Sequence, residues 1–92
     1  MTATALTPDV TLGRSDRVIL RKLAYAAQDL AAERARLADA TEPNMISAYA
    51  RGVSAAAEKL ETIRDIAAAT GAAHRNMALA EAALAGNDDD LY

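Results

Sequence analysis

The sequence predicts an all-α protein: an antiparallel helical hairpin with coiled-coil packing, and the option of a short third helix after Gly71. Three observations predict it. Leu and Ile recur at helical spacing from Ile19 to Leu37, apolar residues alternate in steps of three and four from Ile46 to Ala67, and Pro43 stands between the two patterns. A proline inside a helix removes a hydrogen bond and clashes with the preceding turn, so the two patterns belong to two helices.

Residues 1–14 carry Thr, Pro and Gly without a helical period and read as a flexible arm. Ser15 or Asp16 is the expected N-cap of the first helix. That helix is expected from Asp16 to Ala40, with Ile19, Leu23, Leu30 and Leu37 on one stripe and Leu20, Ala27, Ala31 and Ala38 beside it. A leucine line next to an alanine line lets a second helix approach closely. Arg34 falls within the stripe, so it must snorkel or meet an acid. Val18 and Tyr25 lie on the polar side, either as ordinary exposed residues or as a second contact surface.

A tight break is expected at residues 41–44. Pro43 drives Glu42 out of the helical region, and Thr41 or Asn44 is placed to cap the next helix. So short a connection favours antiparallel neighbours. The second helix carries Ile46, Tyr49, Val53, Ala56, Leu60, Ile63 and Ala67, an a/d seam over three heptads, with Gly52 beside it.

Gly71 admits two readings. A glycine just after an apolar stripe is a common helix stop. Yet the stripe resumes as Ile63, Ile66, Thr70, Ala73, Met77, Ala80 and Leu84, which favours one helix over 44–85 weakened at Gly71. The alternative is a third helix over 72–85 folding back on the hairpin. At 1.5 Å per residue the continuous helix is about 60 Å long against about 37 Å for the first. Its end would need cover from another subunit. The domain is thus a hairpin over 15–86, followed by an acidic tail at 87–92, "NDDDLY".

Composition points the same way. The chain has 92 residues, enough for one domain, and 52% of them are apolar, but 25 are Ala and there is neither Phe nor Trp. Alanine buries little surface, so an isolated hairpin gains little at roughly 25 cal/mol per Å². Self-association would relieve that shortage. The residues expected to form the core and oligomer seam are Ile19, Leu23, Leu30, Leu37, Ile46, Tyr49, Val53, Leu60, Ile63, Met77 and Leu84.

Catalysis is not expected. With no cysteine there is no disulfide, thiolate metal site or thiol nucleophile. The only histidine, His74, has no carboxylate three or four residues away to orient it or share a metal. Glu58, Glu61 and Asp65, with Lys59 near, read as a solvated face. No glycine-rich phosphate loop, HExxH or EF-hand spacing occurs. No cofactor or metal is expected. The lack of a long apolar run and of a basic-then-apolar leader predicts a cytoplasmic protein without membrane contact.

Two charged ends stand out. Arg14, Arg17, Arg21 and Lys22 crowd the start of the first helix, where positive charge opposes the macrodipole by a few tenths of a kcal/mol each. They are candidates for binding phosphate or an acidic partner. Asp88, Asp89, Asp90, Leu91 and Tyr92 form a candidate docking tail, expected to reach the basic patch of a neighbouring subunit. The net charge of −3 argues against bulk nucleic-acid binding, leaving at most weak, non-specific contact with DNA.

With its basic helix start, hairpin over 16–85 and tail at 87–92, the chain resembles the oligomerisation core of phage-type small terminase subunits. The likeness is one of layout, without the family's usual N-terminal helix-turn-helix. It implies a homo-oligomeric DNA-packaging or virion-assembly component, located in the host cytoplasm, whose tail engages a larger motor or assembly protein. The alternative is a small helical regulator or inhibitor that binds one protein target through Val18, Tyr25 and the basic patch.

Overall fold

The computed structural model describes residues 13–92, so most of the expected N-terminal arm lies outside the described residues. Two long helices, α1 (Arg14–Asp39) and α2 (Pro43–Ala69), are followed by two short ones, α3 (Ala72–Arg75) and α4 (Met77–Leu84), and by a 3-10 turn at Asp89–Leu91. No strand occurs among the described residues. The all-α hairpin is therefore present, with the short third element after Gly71 divided in two.

α1 and α2 run antiparallel. Gly52 faces Glu33, Leu60 lies with Leu30, and Ala67 lies with Leu23, so the number on α2 rises as that on α1 falls. The turn is as tight as expected. Ala40 and Glu42 are extended, at φ −73° and −88°, and Pro43 takes the first helical position, where its missing N–H costs nothing. Neither Thr41 nor Asn44 caps α2; its N-cap is Glu42, without a side-chain bond. Likewise Gly13, not Ser15 or Asp16, precedes α1. Asp16 sits within the first turn, where its negative charge suits the macrodipole.

The continuous helix over 44–85 does not form. α2 stops at Ala69, and Gly71 adopts φ +82°, a left-handed conformation that closes the helix end and that a Cβ would oppose. Its amide donates to the Ala68 carbonyl at 3.2 Å. The resumed 3-4 stripe suits a continuous helix, but it suits a fold-back equally, because an apolar face needs cover wherever the chain runs. α1 and α2, at 26 and 27 residues, then match in length, and no overhang remains.

A second break falls at Asn76, with φ −135° and ψ 56°. Its side-chain Nδ2 donates to the Ala72 carbonyl at 3.0 Å, satisfying a helix-end acceptor that the break would otherwise orphan. α4 then runs back along α1 and ends at Gly86, whose φ is +86°. Gln28 Nε2 of α1 donates to the Gly86 carbonyl at 2.9 Å, pinning this exit. Replacing Gly86 with Ala puts a Cβ on a left-handed residue, a strain of about 1–2 kcal/mol. Gly86→Ala is expected to lower the urea midpoint of unfolding accordingly.

The core sits at one end of the hairpin. Leu20, Leu23 and Ala24 of α1 pack with Ala80 and Ala83 of α4 and with Leu91, flanked by Leu60, Ile63, Ala73 and Leu79. The opposite end, around the turn, is two helices thick. There Ile46 and Met45 are exposed, while Leu37, Tyr49 and Val53 are half-buried. Within the single chain, burial along the expected core and oligomer seam is uneven. Leu23 and Leu30 are buried, Ile19, Leu60 and Ile63 are half-buried, and Ile46, Met77 and Leu84 are exposed. Two helices cover each other on one side only, and burial becomes complete only where α4 and the tail add a third layer. Gly52 faces the Glu33 carboxylate of α1, and a Cβ there would lie 2.6 Å from Glu33 Oε2.

Candidate functional site

Three features of the surface carry functional interest, and each depends on how the C-terminal segment folds back on α1. The first is the clasp that holds it. Arg75 donates from Nε to Asp16 Oδ2 at 2.9 Å and from Nη2 to Oδ1 at 2.7 Å, a two-pronged pairing of guanidinium with carboxylate. Asn76 Nδ2 adds a third bond to Oδ2 at 3.0 Å, and Arg75 Nη2 also donates to the Thr70 carbonyl. The hydrogen bonds from Arg75 hold the Asp16 carboxyl below the usual carboxylate range; burial opposes this, while the Asn76 bond and the Arg75 charge reinforce it. The cover over Asp16 is a single layer of side chains rather than a deep interior, since Arg75 itself is half exposed. Desolvation therefore does not win. The same contact holds the Arg75 proton more firmly than usual, mainly through its hydrogen bonds to Asp16.

The second feature is the basic end of α1. Arg14, Arg17, Val18 and Arg21 line one hollow of about 450 Å³, while Lys22 is exposed and lies outside it. The tail reaches this end within the same chain. Leu91 is buried in the core, and the Tyr92 ring lies with its centroid 5.2 Å from the Arg21 guanidinium carbon, within cation–π range. Tyr92 Oη donates to Asp88 Oδ2 at 2.9 Å, closing the tail on itself. Within the chain itself, the tail meets the basic end through Tyr92 and Arg21. Leu91 is committed to the chain's own core, whereas Asp89, Asp90 and Tyr92 keep exposed faces.

The third feature is a groove. α4 packs along α1 and stands off from α2, leaving two contiguous hollows of about 260 and 430 Å³ that share Arg64 and Leu84. Their floor is Leu23, Ala27, Leu30 and Ala31 of α1; Leu60 and Ala67 form one wall, and Ala80 and Leu84 the other. Arg34 lines the groove as well, which places the one charged residue of the α1 stripe at a rim. A further notch at the turn, lined by Arg36, Asp39, Glu42, Met45 and Tyr49, is open and mixed in character.

His74, Glu58, Glu61 and Asp65 are all exposed. No group of His, Asp or Glu placed to hold a metal ion occurs among the described residues. Val18 and Tyr25 are exposed. None of the described helices is long and apolar enough to cross a membrane. The clasp is the feature that sequence reasoning misses. Asp16 and Arg75 are 59 residues apart, and the only local signals are a lone acid among four basic residues and a polar Asn76 interrupting an apolar stripe.

No family model, no curated protein and no solved structure matches this chain.

Proposed function

We propose that this chain is a non-catalytic assembly or adaptor protein that works as a homo-oligomer. The observation that carries the reading is the groove between α2 and α4, where Leu and Ala side chains lie open in a single chain, edged by Arg34, Arg64 and Asp65. Contiguous apolar surface of this kind marks a contact site. A helix of a second copy suits it, because Arg34 and Arg64 lie along the groove and Glu58 and Glu61 stand exposed on α2 to meet them.

Within that reading the finer proposal is a phage-type DNA-packaging or virion-assembly component, similar in layout to small terminase subunits. Arg14, Arg17 and Arg21 around one hollow support weak, sequence-independent contact with DNA phosphates, and the exposed edge of Asp89, Asp90 and Tyr92 supports docking to a larger assembly protein. Native mass in solution is the deciding measurement. A homo-oligomer is the expected result, a closed ring of many copies in the case of a packaging component, and a monomer at all accessible concentrations removes the oligomer reading. An electrophoretic shift with duplex DNA, falling steeply with salt and weakened by Arg14→Ala, is expected of the basic end. No shift at low salt would sink that part.

A second reading is favoured by one observation. Val18 lines the same hollow as Arg14 and Arg21, and Tyr25 is exposed two turns further along α1, so apolar and basic groups lie together on one helix for a single acidic protein target. A monomeric mass, with no DNA shift, would turn the choice to a small regulator or inhibitor.

A further inference from the structure

We propose that the segment after Gly71 exchanges between two copies of this chain, so that α3, α4 and the tail of one copy pack on α1 of the other. This deepens the homo-oligomer reading by naming the element exchanged and the hinge that releases it.

Most of the ties that hold the segment run to α1, although α3 also touches α2. The ties to α1 are the Asp16 pairing with Arg75 and Asn76, the Gln28 bond to the Gly86 carbonyl, Leu91 packed with Leu20, Leu23 and Ala24, and Tyr92 over Arg21. α4 stands off from α2, the helix that leads into it. Every one of these contacts can therefore be made again on a second copy's α1 with identical chemistry, which is the condition under which exchange between protomers costs little.

The hinge favours exchange as well. The folded-back form rests on Gly71 at φ +82°. If Gly71 turns helical, α2 and α3 join into one helix through Arg75, recovering the backbone hydrogen bonds that the break forgoes, and the rest of the segment is carried away from its own α1. The apolar stripe runs in helical register through that junction as Ile63, Ile66, Thr70 and Ala73. Ile66, just before the hinge, is 46% exposed in the single chain. Two straightened helices crossing at a twofold axis near the hinge bring Ile66 of each copy into contact, adding burial that the single chain lacks.

Charge exchange across the clasp tests this directly. Asp16→Arg places two arginines at the clasp and Arg75→Asp places two aspartates, so each variant alone opposes its own fold-back. Mixed, they pair correctly only in trans. The arginine introduced at position 16 of one copy meets the aspartate introduced at position 75 of the other, and the two native partners, Asp16 and Arg75, meet across the second clasp. The expected result is a one-to-one heterodimer by native mass spectrometry, with helical circular dichroism above that of either variant alone. A mixture that stays as separate species overturns the proposal. Gly71→Ala gives an independent measure that does not depend on those variants folding. Its Cβ opposes the left-handed hinge and would sit 2.7 Å from Arg75 Nη1 in the folded-back form. It is expected to shift the balance toward the exchanged dimer by roughly five- to thirty-fold per chain, and Ile66→Asp is expected to reverse the gain. A self-association that Gly71→Ala leaves unchanged, with no heterodimer from the mixture, overturns exchange and leaves the groove as the contact. A monomer in every case overturns both.

Discussion

Leu20→Ala is expected to be the most damaging single truncation in the molecule, at about 3 kcal/mol. Leu20 is fully buried where α1, α4 and the tail meet, and four of the nine residues clustered with it are alanines, which have no side-chain length to relax into the space. A domain of this size has roughly 4–12 kcal/mol of total stability, so the loss is a large part of it. Ile46→Ala, at a position the heptad seam places in the core, is expected to cost less than about 1 kcal/mol because Ile46 is exposed near the turn. Urea unfolding of the two variants separates a core gathered at one end from a core spread along the hairpin. Equal losses would support the second arrangement and contradict the first.

That contrast shows how far the fold is legible in the sequence and where it stops being so. The break at Pro43 follows from covalent geometry alone, and the structure has it within a residue of the expected place. The two stripes identify the facing sides of α1 and α2, because helical period is a local property. They do not say how deep each position is buried. Leu20 reads as a flank of the Ile19–Leu37 stripe when only one partner helix is imagined. It becomes central once α4 and Leu91 cover the other side of α1. The third layer in turn depends on Gly71 and Asn76, whose roles are set by tertiary contacts. Gly71 inside a helical pattern is compatible with a stop or a tolerated interior glycine, at about 1 kcal/mol in the latter case. What decides between them is the clasp at Asp16, on another helix and far away in sequence.

The surface features divide in the same way. The basic run at Arg14–Lys22 and the acidic tail are visible as charge, but their meeting through Arg21 and Tyr92 within one chain needs the fold-back. The groove is legible only as a surplus: the apolar stripe exceeds what one hairpin can cover. Leu84, expected in a seam, is a groove wall, and Met77 is an exposed residue beside the Asn76 break.

The clasp makes the fold-back sensitive to acid, and the direction is set by the Asp16 carboxyl. Its folded-state value lies below its unfolded one, mainly because Arg75 hydrogen-bonds to the ionised form. The carboxylate's contribution is therefore full above the unfolded value, about 3.9, and is lost as pH falls through the lower folded value. Wild-type protein is expected to keep an unchanged urea midpoint from neutrality to about pH 4 as far as this group is concerned, then to lose stability on further acidification. Asp16→Asn should start from a lower midpoint at neutral pH, because the two-pronged pairing with Arg75 is gone and an amide is a poorer partner for guanidinium than a carboxylate. Its further loss below pH 4 should be smaller, since the titrating group has been removed, so the two curves converge in acid. Arg75→Lys gives the complementary case. It keeps the positive charge but cannot reach both carboxylate oxygens in the fixed fork of a guanidinium, and its neutral-pH midpoint should fall between those of wild type and Asp16→Asn. Parallel curves for wild type and Asp16→Asn would mean that Asp16 does not titrate with folding. The fold-back would then rest on ties that do not titrate, namely Leu91, Ala80 and Ala83 in the core, the Gln28 bond to Gly86 and Tyr92 over Arg21.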